Sequence, residues 1–218
     1  MKDGDIHIVI RVLKKSTQQW AVPFLEQLAE DGACPFKILV ACILSLRTRD
    51  KATAEASSRL FALATDPFSM ANIDISQLEK AIFPVGFYRR KAKQVREISK
   101  NICDEFHGKV PDTIEALVKL PGVGRKTANL VRAVGYKKHG ICVDIHVHRI
   151  CNRLGYVTTK SPDATEFILR QKLPQKHWIG FNRLLVSFGQ NQCRPTSPRC
   201  SSCPIHEFCQ RVGVVTAR

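Results

Sequence analysis

Apolar positions recur along this chain at intervals of three and four residues, and hardly anywhere at two. Residues 6–13 read IHIVIRVL, a run that periodicity alone leaves between helix and strand and that its helical surroundings tip towards helix. Pro23 precedes a short apolar stretch from Phe24 to Leu28, and Pro35 stands where a first helical turn tolerates proline. From Phe36 to Leu46 only Lys37 and Ser45 interrupt the apolar residues. Such a run is too long for a typical strand and too short to cross a bilayer, so it predicts a buried central helix. An alanine-rich helix capped by Asp50 should run from there to about Leu63. Asp74 and Gln77 have capping-box spacing for a short helix stopped near Pro84.

Arg89 to Phe106 carries Ala92, Val95, Ile98, Ile102 and Phe106 on one stripe, which predicts a long basic helix ended by Gly108. Asp112 with Glu115 should cap the next helix, around Ile114, Leu117 and Val118. The segment LPGVGRKTAN, Leu120–Asn129, then breaks one helical pattern, and Thr127, Leu130, Val131 and Val134 begin another. Val147, Ile150, Cys151 and Leu154 mark a further face, with Asp144 near its N-cap and Gly155 as its stop. Ser161-Pro162 opens one more helix, and Trp178, Phe181, Leu185 and Phe188 stripe a last one that ends at Gly189. No alternating strand pattern and no internal repeat emerges. The expected fold is all-α.

Charge adds a partner to that outline. The chain has 218 residues, 44% hydrophobic, with a net charge of +15 and a pI of about 9.7. A core of that size can fold, and the excess of cations points to a polyanion, nucleic acid before a membrane surface. No long apolar span, export signal or lipidation motif is present, so no membrane association and a cytoplasmic setting are expected, nucleoid-associated in a prokaryote. Reduced cysteines go with that setting. Cys34, Cys42, Cys103, Cys142 and Cys151 are scattered among apolar neighbours, as small buried hydrophobes would be.

Two stretches carry candidate chemistry. In the first, Gly122 and Gly124 form a tight turn before a helix N-terminus, a place where backbone N–H groups and the helix dipole favour an anion such as a phosphate. Gly122, Val123 and Gly124 would form the backbone clamp, with Arg125 and Lys126 directly behind it. In the second, four cysteines follow the pattern Cys193-x6-Cys200-x2-Cys203-x5-Cys209, with Arg194 and Arg199 between the first two. Four thiolates suit a [4Fe–4S] cluster; zinc, which usually joins two CxxC pairs, and disulfide pairing are the alternatives. A cluster here would staple a basic loop for a phosphate backbone rather than carry out redox chemistry.

A glycine hairpin ending in lysine, an aspartate eighteen residues beyond it, and C-x6-C-x2-C-x5-C together resemble endonuclease III, the iron–sulfur branch of the helix–hairpin–helix DNA glycosylases. The resemblance runs from about Glu26 to Cys209. It implies two all-α domains with a DNA-binding cleft between them: a six-helix domain over 28–138, and an iron–sulfur domain made of 1–27 with 139–218. It also implies Lys126 as the nucleophile, Asp144 as the catalytic carboxylate, and the four clustered cysteines as ligands of a [4Fe–4S] cofactor. The partner would be double-stranded DNA holding a damaged base or an abasic site, bound by a monomer. The family removes oxidised pyrimidines and nicks the abasic strand. Arg47 and Phe87 match the residues that fill the gap left by an extruded base, although the family often has glutamine at the position of Arg47. His146 could touch phosphate, orient the site, or do neither. Two other readings stay open: a monofunctional enzyme of the adenine-DNA glycosylase type, whose motif usually lacks the lysine, and a noncatalytic DNA-binding module.

Overall fold

In a computed structural model that describes residues 1–218, every regular element is helical. The helices are α1 (Ile6–Thr17), α2 (Phe24–Glu30), α3 (Pro35–Ser45), α4 (Asp50–Leu63), α5 (Pro67–Asn72), α6 (Ile75–Ile82), α7 (Tyr88–Phe106), α8 (Ile114–Leu117), α9 (Arg125–Leu130), α10 (Ile145–Arg153), α11 (Pro162–Lys172) and α12 (Trp178–Asn191). No helix is long and apolar enough to cross a membrane. The chain divides into two compact units, one of residues 23–140 and one joining residues 1–22 to 141–218.

The first unit is built around α3. Proline at its first position pre-sets the helical φ, and Phe36 and Ile38 to Leu44 are all buried. Helices α2, α4, α7 and α9 pack against it, while α5 and α6 lie along α7. Burying a Leu or Ile side chain contributes about 1.5–3 kcal/mol, so this continuous apolar helix is the main anchor of the unit. The second unit closes over a core contributed by both ends of the chain. Ile6, Val9, Ile10 and Leu13 of α1 meet Val147, Ile150 and Cys151 of α10, and Phe181, Leu185 and Phe188 of α12.

Capping follows the expected logic more closely than the expected residues. Asp144 and Ser161 cap α10 and α11 through their side chains. Asp50 is instead the first residue of α4, behind Arg49 as N-cap, and its carboxylate faces the Phe24 N–H at 3.5 Å. Asp74 holds the N-cap position of α6 without a side-chain hydrogen bond. Thr113 rather than Asp112 caps α8, its hydroxyl accepting from the Ala116 N–H, while Asp112 pairs with Lys138. Helix α5 has no apolar stripe long enough to announce it and is nucleated by Asp66, which accepts from the Ser69 N–H, followed by proline. Helix α12 runs through Gly189 to Asn191, because Gly189 faces the His146 ring instead of terminating the helix. After α9 the backbone widens into a π turn at Val131–Gly135.

The scattered cysteines are not uniformly buried. Cys42, Cys142 and Cys151 are, whereas Cys103 is half-buried and Cys34 is exposed at the N-cap of α3. Burial pushes the Cys42 thiol up to about 12 and so keeps it in its unreactive protonated form at neutral pH.

Candidate functional site

The hairpin is set by Gly122, whose φ of +69° lies in the left-handed region. A Cβ there would also meet Gln94 Nε2 at 2.4 Å. That side chain reaches from α7 to donate to the Pro121 carbonyl at 3.0 Å and so ties the turn down. Val123 is buried and pins the turn to the core. Gly124 serves as N-cap of α9 in an ordinary extended conformation, with nothing within 4 Å of where a Cβ would stand. Inside the protein, steric need for glycine therefore rests on Gly122 alone. Gly122→Ala should cost about 1–2 kcal/mol from backbone strain alone, measurable by urea unfolding. Gly124→Ala should leave stability within about 0.5 kcal/mol and lower DNA affinity where a phosphate approaches the turn.

With glycine as N-cap, no N-cap side chain bonds the first turn of α9, whose N–H groups point out of the helix. Arg125 and Lys126 occupy its first two positions, and the Lys126 side chain is exposed. Beneath it lies the buried Cys42 thiol of α3, close enough for the Lys126 charge to favour its thiolate, although burial outweighs that effect. Arg47 and Phe87 belong to the same unit. Arg47 follows α3 and Phe87 precedes α7; both are exposed and both have left-handed backbones, at φ 55° and 59°. The Arg47 guanidinium lies 5.7 Å from the centre of the Phe87 ring, a cation–π distance. Gly86 permits this approach, since a Cβ there would stand 2.9 Å from the Arg47 carbonyl oxygen.

In the other unit, Asp144 is 9% exposed and is the N-cap of α10. Its Oδ1 accepts from the N–H groups of both His146 and Val147 at 2.9 Å. One carboxylate oxygen is thus fixed by the helix terminus, which leaves Oδ2 as the oxygen to face a reacting group. His146 packs on Gly189 and holds Arg149, whose Nη2 lies 3.1 Å from its Nδ1 and donates to the Cys193 carbonyl at 2.9 Å.

Cys193, Cys200, Cys203 and Cys209 all line one hollow, together with apolar side chains such as Ile150, Leu154 and Phe188 and with Arg153, Arg199 and Arg211. Burial raises the Cys203 thiol to about 11, and repulsion from the other three sulfurs adds to that rise. Burial raises Cys209 too, with Cys193 and Cys200 adding to it. The four sulfurs are thus near enough to oppose one another's ionisation, a donor set that a cationic centre among them would relieve. Arg153 ties the loop from below, donating to the Arg194 and Pro195 carbonyls at 2.6 Å and to Cys193 Sγ at 3.4 Å. Arg194 is half-buried with its Nε on the Gln190 carbonyl, whereas Arg199 is exposed. Gln94, Arg149 and Arg153 had no signal in the sequence, where each reads as one more cation or amide on a helix.

An exposed lysine on a glycine hairpin, a carboxylate held by a helix N-terminus and a four-thiol hollow define a class. The HhH-GPD superfamily base excision DNA repair protein family matches residues 40–175, more than half of the chain. Endonuclease III of Thermotoga maritima is 44% identical over 81% of this chain and 83% of its own length. Endonuclease III homolog 2, chloroplastic, of Arabidopsis thaliana is also 44% identical over 80% of this chain, which spans 47% of that longer protein. A trapped endonuclease III–DNA covalent intermediate, an estranged-adenine complex, superimposes with a TM-score of 0.85 at 30% identity, covering 97% of each chain. The chain belongs to the endonuclease III family within the HhH-GPD superfamily.

Proposed function

We propose that this protein is a bifunctional base-excision DNA glycosylase and abasic-site lyase acting on oxidised pyrimidines in double-stranded DNA. The observation that carries the reading is that one unit holds an exposed lysine on the hairpin and the other holds a carboxylate fixed at a helix N-cap. The hairpin backbone and Arg125 grip phosphate, and the damaged nucleotide is extruded. Glycosidic cleavage passes through an oxocarbenium-like state, which the Asp144 carboxylate stabilises electrostatically. The neutral Lys126 amine attacks C1′, the C1′–N bond breaks, and the base leaves with its electron pair and a proton given up by the amine. The C1′–O4′ bond then breaks, a proton going to O4′, and the sugar ring opens to an imine. The resulting Schiff base acidifies the C2′ protons. Loss of one of them expels the 3′ phosphate by β-elimination, and water then releases the lysine.

The endonuclease III family is associated with an iron–sulfur cluster, and the support for one here is the donor chemistry of four thiols that line one hollow without being drawn together as a ligand set. Cys193, Cys200, Cys203 and Cys209 would hold a [4Fe–4S] cluster, which would brace the loop bearing Arg194 and Arg199 against DNA phosphates. Purified protein should contain iron and acid-labile sulfide in equal amounts, and Cys203→Ser should lower both while weakening DNA binding. Zinc in place of iron would overturn the assignment.

The deciding experiment uses duplexes with one oxidised pyrimidine opposite guanine or adenine, scored separately for base release, nicking and borohydride-trapped adduct. Release, nicking and a covalent adduct are expected together. Release without an adduct would indicate the monofunctional enzyme, and no release would leave a binding module. Arg47 can donate bidentately to guanine O6 and N7 and offers nothing to the adenine amino group. Excision opposite guanine should therefore equal or exceed that opposite adenine, and a strong adenine bias would remove this role for Arg47.

A further inference from the structure

Lys91 is a buried cation that the chemistry above does not use. It lies in the first turn of α7 at 5% exposure. Its Nζ donates to the Leu44 carbonyl at 2.8 Å, the Leu46 carbonyl at 2.5 Å and the Thr48 hydroxyl at 3.1 Å. All three acceptors are neutral. An ammonium buried without a counter-ion is a costly way to finish a helix, and the segment it grips is the one that carries Arg47. Lys91 also stands one helical turn after Phe87, its own N–H donating to the Phe87 carbonyl at 3.0 Å. One residue thus joins the two loops whose tips meet in the Arg47–Phe87 contact, one through its side chain and the other through its backbone. The lack of room for a Cβ at Gly86 against the Arg47 carbonyl shows how closely the loops are drawn.

We propose that Lys91 is the positioning residue of the gap-filling pair, holding Arg47 and Phe87 in the relative placement that replaces an extruded base. The proposal rests on the glycosylase reading above and extends it. The two residues stand on short loops with left-handed backbones, and such conformations persist only where their surroundings over-determine them. Three hydrogen bonds from one ammonium supply that determination for the Arg47 loop, and the covalent path through α7 supplies it for Phe87. A helix cap alone would need the Leu44 and Leu46 carbonyls and not Thr48 beyond them.

The test compares wild type with Lys91→Met, similar in size and apolar, on an oxidised pyrimidine placed opposite guanine or opposite an abasic spacer. An unpaired lesion needs less unstacking and orphans no partner base, so kcat/KM should fall about tenfold opposite guanine and no more than about threefold opposite the spacer. Adding Lys91→Met to Arg47→Ala should then cost little more than Arg47→Ala alone, as expected of residues acting through one another. Should Lys91→Met fail to fold, Gly86→Ala, which forces the loops apart, should show the same selective loss. Equal losses on both substrates, or losses that add in the double variant, would overturn the proposal and leave Lys91 a structural cap. Absence of excision by wild type on either substrate would instead remove the glycosylase reading itself.

Discussion

Lys126→Ala should abolish the borohydride-trapped adduct and reduce strand nicking by roughly 10^4- to 10^6-fold, the scale on which deletion of a single catalytic nucleophile acts. The fold should survive. Lys126 is exposed at the second position of α9, and alanine has the higher helix propensity, so unfolding in urea should shift by less than about 0.5 kcal/mol. Binding to an abasic duplex should weaken only by the loss of one cation near the phosphates, since the hairpin backbone and Arg125 remain. A variant that keeps the adduct would move the nucleophile elsewhere. Arg125 is no substitute, because a guanidinium stays protonated. Denaturing electrophoresis of the trapped complex, run beside a filter-binding measurement on the same sample, separates these outcomes.

Asp144→Asn should reduce base release by roughly 10^2- to 10^4-fold, the range spanned by loss of one preorganised electrostatic or acid–base group. The reason to choose asparagine lies in the cap. Asp144 Oδ1 accepts from the His146 and Val147 N–H groups, and asparagine caps helices about as well as aspartate. Stability should therefore change little, whereas Asp144→Ala should add about 1 kcal/mol of destabilisation for the lost cap. If Asp144→Asn keeps wild-type excision while Asp144→Ala loses the cap's stability, the carboxylate is a cap and nothing more. A split, with stability retained and excision lost in the asparagine variant, separates chemistry from structure at one residue.

Much of this could be read from residue order. The α3 run from Phe36, the α7 stripe and the α10 face each had a period that fixes a helix, because burial is repaid only at that spacing. The placement of Lys126 behind the hairpin and of Asp144 at a helix N-cap was legible since each sits beside a backbone signal, a glycine turn in one case and a helix start in the other. The misses have a common cause. Asp50, Asp74 and Asp112 each stand where an acidic cap fits, but a cap hydrogen bond depends on backbone angles decided by the preceding turn, and Thr113 had the better geometry. Lys91 was invisible for a related reason. Its neighbours Arg89, Arg90 and Lys93 carry the same charge, and only the path of α3 past α7 separates a buried ammonium from solvated ones. The role of Gly189 was misread because glycine ends a helix as readily as it admits a neighbour's ring.

The two-ended make-up of the second unit bears on how the chain is made. Residues 23–140 are contiguous and can fold as they leave the ribosome, but α1 has its partners in α10 and α12. At synthesis rates of about 5–20 residues per second, the apolar face of Ile6, Val9, Ile10 and Leu13 waits on the order of 10 s for α12 to be made. Through that interval the nascent chain displays an amphipathic helix with nothing to cover it, which is when chaperone capture and co-translational aggregation compete with folding. The order of synthesis thus makes α1, made before its partners α10 and α12, one of the last helices to find its place.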